Sequence, residues 1–189
     1  EVTNTFVAVR PPGHHAETTT AMGFCFFGNV ALGAKYALDF HNLSRVAIVD
    51  FDVHHGNGTQ DILWNEKRTL TITSQQMPLW PGTGGIDEKG SFDNVVNVPL
   101  PPNSDGNHMR AQYQEKVFPK LEEFNPELIL ISAGFDAHRL DPLAQLLWET
   151  EDFVWLTREI CKIALRCCDG KLVSVLEGGY NLNALAEAV

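Results

Sequence analysis

Most of the reactive side chains sit in four short polar motifs: Arg10–His15 (RPPGHH), Asp50–Gly58 (DFDVHHGNG), Ser132–His138 (SAGFDAH) and Glu177–Asn181 (EGGYN). Asp52 and His54 are two residues apart, and residues so spaced on a strand point to the same face. A carboxylate and an imidazole side by side suit a metal ion, and Asp136 offers a third ligand. Two Asp and one His leave a coordination position open for water, the arrangement of a catalytic rather than a structural zinc site. The oxygen-rich set would also accept Fe(II) or Co(II). A D-x-H pair alone is common by chance. His55, Asn57 and Asp136 in similar contexts give this one its weight.

His14 and His15 are adjacent in a turn braced by Pro11, Pro12 and Gly13. Both can face one site, and histidine is the usual proton carrier near neutral pH. Each needs an acceptor to set its tautomer, and Asp50 and Asn57 are candidates. Tyr180 follows Gly178 and Gly179, which allow close backbone approach. Its hydroxyl could stabilise an oxyanion beside a metal. Phe24, after Gly23, and Trp80, in LWPGTG, are loop aromatics that could line an apolar channel or simply pack in the core. Cys25 has no activating context and is expected to be a buried structural thiol. His41, His108 and His138 are expected on the surface or behind the site.

The elements that must hold these residues alternate between strand and helix. TFVAV (5–9), RVAIVDFD (45–52), LTIT (70–73), VVNVPL (95–100), ELILIS (127–132) and LVSVL (172–176) read as strands. Helices are expected over 29–40, 58–65, 106–124 and 150–168, the last capped by Thr150 with Glu151 and Asp152 at the positive end of its dipole. Strands apolar on both faces and separated by helices predict a parallel sheet covered on both sides. Ligands of such sheets bind beyond the carboxyl ends of the strands, where all four motifs fall. Residues 78–90 read as one long Gly/Pro-rich loop, a type that is often functional.

The 189 residues and 44% hydrophobic content suit one domain with a sizeable core. The net charge of −10 argues against direct nucleic-acid binding, which depends on clustered cations. No apolar run is long enough to span a bilayer. The four cysteines form no scaffold pattern, so a reducing, cytoplasmic compartment is expected. The oligomeric state leaves no trace in the sequence. Motifs for serine hydrolases, HExxH metalloproteases and P-loop enzymes are absent from the sequence.

RPPGHHA, GFCFFGNVA, DFDVHHGNGTQD, PGTG, SAGFDAH, DPL and LEGGYN, in this order along nearly the whole chain, resemble the successive signatures of the histone deacetylase superfamily. The variants are most similar to the class II group and to bacterial relatives, including acetoin-utilisation proteins and acetylpolyamine amidohydrolases. The resemblance implies an α/β, three-layer arginase–deacetylase fold with a mainly parallel sheet. It implies zinc on Asp52, His54 and Asp136, and a structural potassium ion near Asp50, Asp52, His54 and Thr73. His15 would be the general base. His14, partnered by Asp50, would act electrostatically, and Tyr180 would be the oxyanion donor. Phe24 and Trp80 would wall an acyl-lysine tunnel.

Asn57 stands where class I members carry aspartate, and Trp80 where Phe or Tyr is commoner. Leu143, in Asp141-Pro142-Leu143, occupies a position where relatives resembling polyamine deacetylases carry Glu. Both chain ends look cut, so residues 1–189 are expected to be a single catalytic domain lacking N- and C-terminal portions. The expected activity is hydrolysis of acetyl-lysine-type amides. Alternatives are an acetylpolyamine or small-amide amidohydrolase, a non-catalytic acyl-lysine binding module, and an arginase-like two-manganese hydrolase. Asn57 argues against the last.

Overall fold

The computed structural model describes residues 3–189; Glu1 and Val2 lie outside the described residues. Six strands, β1 (Asn4–Val7), β2 (Val46–Asp50), β3 (Thr69–Gln76), β4 (Val95–Leu100), β5 (Leu128–Ala133) and β6 (Leu172–Leu176), form one sheet in the order β1-β6-β5-β2-β3-β4. Every neighbouring pair is parallel. The three-layer α/β architecture expected from the sequence is the one observed.

The β-branched central strands are buried on both faces, and alternation sends successive side chains into two cores. Val46 and Ile48 of β2 join Leu130 and Val175 against α1 (Asn29–Asp39), which presents Val30, Ala31, Ala34, Ala37 and Leu38. α2 (Asn57–Leu63) adds Leu63 to the same layer. Ala47, Val49, Ile129 and Ile131 face the larger core. It is closed by α3 (Gly106–Gln112), α4 (Phe118–Phe124) and α5 (Thr150–Cys168), with α6 (Leu182–Ala188) at its margin.

Several local expectations change. β2 ends at Asp50, not Asp52, because the Asp50 carboxylate accepts the Asp52 N–H (3.1 Å) and bends the chain out of the ladder. Asp52 and His54 therefore meet in a loop, not on a strand. The helix expected over 106–124 is interrupted by a π turn at Tyr113–Val117, just before Pro119. Proline has no N–H and its ring crowds the carbonyl four residues back, so the chain widens there. β3 runs on through Ser74, Gln75 and Gln76, because their polar side chains find partners: Ser74 with the Tyr113 hydroxyl, Gln75 with the Gly84 carbonyl, Gln76 with Gln145. The N-cap of α5 is Glu149, not Thr150. Glu149 and Asp152 cap each other's backbone N–H reciprocally, which satisfies two donors where Thr150 would satisfy one.

α5 offers a direct check of the layer assignment. Leu156 is fully buried and Leu165 is 69% exposed on the same helix. Leu156→Ala should cost about 2–5 kcal/mol of unfolding free energy. Leu165→Ala should stay within about 0.5 kcal/mol. Denaturant titration of both variants measures the difference; equal costs would contradict the packing.

Candidate metal centre and active site

The bend after β2 and the segment after β5 bring three ligand-type side chains together. His54 Nδ1 lies 3.0 Å from Asp136 Oδ2 and 3.2 Å from Asp52 Oδ1. One donor atom from each of Asp52, His54 and Asp136 falls within 4.8 Å of the others. The other oxygens are held by backbone: Gly178 N–H donates to Asp52 Oδ2 (2.8 Å) and Val53 N–H to Asp136 Oδ1 (2.9 Å). Gly178 is required by this approach, since a Cβ there would stand 2.4 Å from Asp136 Oδ2 and 2.5 Å from Asp52 Oδ2.

Two fully buried carboxylates side by side are costly unless a positive charge or a proton offsets them. Burial pulls the His54 imidazolium down, but hydrogen bonds to Asp136 and Asp52 outweigh it and hold the group at about 10. Burial and the neighbouring Asp52 charge push Asp136 upward. A proton on His54 and a cation at this point would thus serve the same end, offsetting the two carboxylates. The donor set of two carboxylates and one imidazole fits a divalent ion with a coordination position left open.

The histidine pair lies beside this centre in two different settings. His14 Nδ1 contacts Asp50 Oδ2 at 2.9 Å, and its Nε2 is 3.7 Å from Asp52 Oδ2. Burial disfavours its charge, but Asp50, Asp52 and Glu177 outweigh that and raise its pKa. His15 Nδ1 lies 2.8 Å from Asn57 Oδ1. The Asn57 amide is oriented by donating its Nδ2 to Glu17 (2.8 Å), so its oxygen faces His15. His15 therefore carries its proton on Nδ1, and its Nε2 lone pair is free. Burial and the His14 charge push it down to about 3, so it is neutral at physiological pH.

His15, Gly23, Phe24, His54, Trp80, Leu143 and Tyr180 line a narrow cleft of about 60 Å³ above the centre. The Trp80 ring is edge-on to His15 at 4.6 Å, and Phe24 lies 6.2 Å from Tyr180. The Tyr180 backbone is tied to Asp141 Oδ2 (2.8 Å), and the Arg10 guanidinium stands 5.9 Å from its ring. Burial and the carboxylates of Asp52 and Asp136 raise the Tyr180 phenol, which keeps its proton. A larger groove of about 460 Å³ beside β4 is lined largely by surface charges such as Lys89, Lys116 and Glu123, and brings no buried titratable group together.

All thirteen residues singled out for the site thus fall around one end of the sheet: Asp52, His54 and Asp136 at the centre, His14, Asp50, Asn57 and Gly178 behind it, and the others at the cleft. Cys25 is buried, its thiol pushed up to about 11 by burial. His41 and His108 are exposed. His138 is instead 5% exposed, stacks on Phe153 and accepts the Leu140 N–H at its Nδ1 (3.2 Å).

Sequence reasoning missed Glu177. Its fully buried carboxylate accepts N–H bonds from Gly13 (2.6 Å) and His14 (3.1 Å) and a hydroxyl from Ser132 (3.0 Å), which anchors the histidine turn. A glutamate ending an apolar strand was the available signal, because a buried carboxylate must be partnered.

The fold and site together define an α/β protein with a carboxylate–imidazole cluster able to hold a cation at the carboxyl edge of a parallel sheet. A family model described as the histone deacetylase domain matches residues 1–189, and the chain belongs to that family. It is 46% identical to rice "Histone deacetylase 10, chloroplastic" over 187 residues, 97% of this chain and 42% of that protein. It is 40% identical to the "Histone deacetylase-like amidohydrolase" of Pseudomonas aeruginosa, across 96% of this chain and 49% of that one. The crystal structure of the HDA15 HD domain superposes with a TM-score of 0.91 at 39% identity, covering 99% of this chain and 55% of the other. The chain spans about half the length of these relatives. No helix among the described residues is long and apolar enough to cross a membrane.

With His54 held at about 10 in the metal-free centre, a divalent ion must displace at least one proton at neutral pH. Apparent Zn²⁺ affinity should therefore rise with pH, by at least about tenfold per unit below the His54 value, and more steeply where Asp136 also gives up a proton. Calorimetric titration at about pH 6, 7 and 8, in buffers of different ionisation enthalpy, measures both the slope and the proton release. A flat affinity with no proton release would contradict the arrangement.

Proposed function

We propose that this chain is the metal-bearing part of a zinc-dependent deacetylase that hydrolyses acetyl-lysine-type amides to a free amine and acetate. The observation that carries this reading is the convergence on one cleft of a carboxylate–imidazole metal centre, a neutral histidine with a free Nε2, and a protonated tyrosine. Family membership supports it. The names of the curated relatives, one chloroplastic and one bacterial, carry no compartment for this chain.

Asp52, His54 and Asp136 would hold one divalent ion, which when bound supplies Lewis acidity to an acyl carbonyl and to water. His15 Nε2 takes the proton from the attacking water, its ring held by Asn57. The Tyr180 hydroxyl donates to the oxyanion as it develops. His14, held beside Asp50 and Asp52, keeps positive charge behind the reacting carbonyl, and a histidine of the pair returns a proton to the leaving amine. Trp80 and Phe24 flank the acyl-lysine methylenes and limit water. A potassium ion would draw on Asp50, Asp52, His54 and Thr73; Asp50 and Thr73 are register partners in β2 and β3.

Tyr180→Phe removes one hydroxyl and keeps the ring. Turnover of an acetyl-lysine peptide should fall by about 10²–10³, with one divalent ion per chain retained by elemental analysis. Near-normal turnover would remove Tyr180 from this role, and a chain that binds two manganese ions would overturn the single-metal reading.

Leu143 is 45% exposed at the cleft mouth and offers no charge to a second ammonium group. Acetyl-lysine substrates should therefore outperform acetylated polyamines. Leu143→Glu should move the ratio of the two kcat/KM values toward the polyamine by about tenfold, equivalent to about 1.4 kcal/mol. An unchanged ratio would show that Leu143 is not the selector.

A further inference from the structure

The cleft wall that carries Trp80 belongs to the 78–90 loop, which has no helix or strand of its own to hold it. Behind it lies a polar network that the chemistry above does not use, with His55, Gln60, Gln75 and Asn97 buried and Glu88 half-buried. The His55 ring stands at its centre. Gln60 donates its Nε2 to Glu88 Oε2 (2.6 Å), which orients the amide so that its oxygen faces His55 Nε2 (3.1 Å) and accepts from Asn97 Nδ2 (2.9 Å). An oxygen facing Nε2 places the imidazole proton there, and Nδ1 is left to accept from the Thr83 hydroxyl at 2.7 Å.

The loop backbone is bound by the same groups. Glu88 Oε1 accepts the N–H of Gly84 (3.0 Å) and Gly85 (2.8 Å), and Gln75 Nε2 donates to the Gly84 carbonyl (2.7 Å). Asn97 Nδ2 reaches the Glu88 carbonyl at 3.2 Å. Gly84 has φ +89°, and a Cβ there would stand 2.7 Å from the His55 ring, so the backbone lies directly on the imidazole. Thr83 and Gly84 are three and four residues from Trp80, whose ring packs edge-on against His15 at 4.6 Å and His54 at 6.2 Å.

We propose that Glu88 and Gln60 are positioning residues, which through His55 and Thr83 lock the 78–90 loop so that Trp80 forms a fixed wall of the substrate cleft. The network bridges the loop bearing His54 and the loop bearing Trp80, so metal centre and cleft wall share one rigid support. Its consequence for catalysis rests on the deacetylase reading; its consequence for the loop does not. A fixed wall contributes equally to substrate and transition state, so its loss acts mainly on KM.

The test uses Glu88→Ala, with Glu88→Gln as the conservative variant, both distant in sequence from the metal ligands. Hydrogen exchange is followed at Gly82, whose N–H is bonded to the Leu79 carbonyl and not to Glu88. Glu88→Ala should speed exchange there by about tenfold or more, with β2 and β5 still protected and one divalent ion still bound. KM for an acetyl-lysine peptide should rise by about tenfold with kcat little changed, and Glu88→Gln should recover much of both. Unchanged protection at Gly82 overturns the proposal, as does equal loss of protection in β2 and β5, which would mark general destabilisation. Lost protection with kcat reduced and KM unchanged also overturns the role assigned to the wall. A parent chain that does not deacetylate, but whose Gly82 protection depends on Glu88, sinks the deacetylase reading and leaves the positioning role standing.

Discussion

Four carboxylates, Asp50, Asp52, Asp136 and Glu177, are buried at one end of the sheet, none more than 1% exposed. Charges removed from water in this way are tolerated only when hydrogen bonds and opposite charges replace the lost hydration. Backbone N–H groups of Gly13, His14, Asp52, Val53 and Gly178 meet one share of that demand. His14 and His54 meet another. The remainder makes the point where Asp52, His54 and Asp136 converge suited to a cation, so the arrangement that threatens stability is also the one that builds the candidate centre. The parallel sheet makes this workable, because its strand ends deliver several loops to one place while the apolar strands keep the frame rigid.

The neighbouring histidines show how environment separates roles. His14 faces three carboxylates and holds its proton firmly; His15 faces an amide oxygen and the charge of His14, and stays neutral with Nε2 open to the cleft. Two groups of the same type, adjacent in the chain, are thus pushed to opposite protonation states, the pattern expected of an acid–base pair. His55, next to His54 in the chain, is turned away from the centre and neutral, pushed down to about 4 by burial, and serves as a hydrogen-bond hub for a loop. Residue type alone would not have told these histidines apart.

The sequence by itself carried the fold class, because two-faced apolar strands alternating with amphipathic helices have few solutions other than a covered parallel sheet. It also singled out the candidate site residues, since Asp52, His54, Asp136, Tyr180 and the His14–His15 pair lie in polar motifs that follow strands, and the motif order resembled one family. Only tertiary structure decided how they meet. Asp52 and His54 share a site through a bend made by the Asp50 carboxylate, not through strand pleating. Spacing alone leaves the acceptors Asp50 and Asn57 unsorted between His14 and His15; the family resemblance pairs Asp50 with His14, and the folded loops show the contact of each. Glu177 and the Glu88–Gln60–His55 network could not be assigned from spacing, because their partners are separated by up to 164 residues or lie in loops without periodicity. Local pattern reports which face a side chain presents. It does not report which distant polar atom will satisfy it, and burial leaves that to the assembled fold.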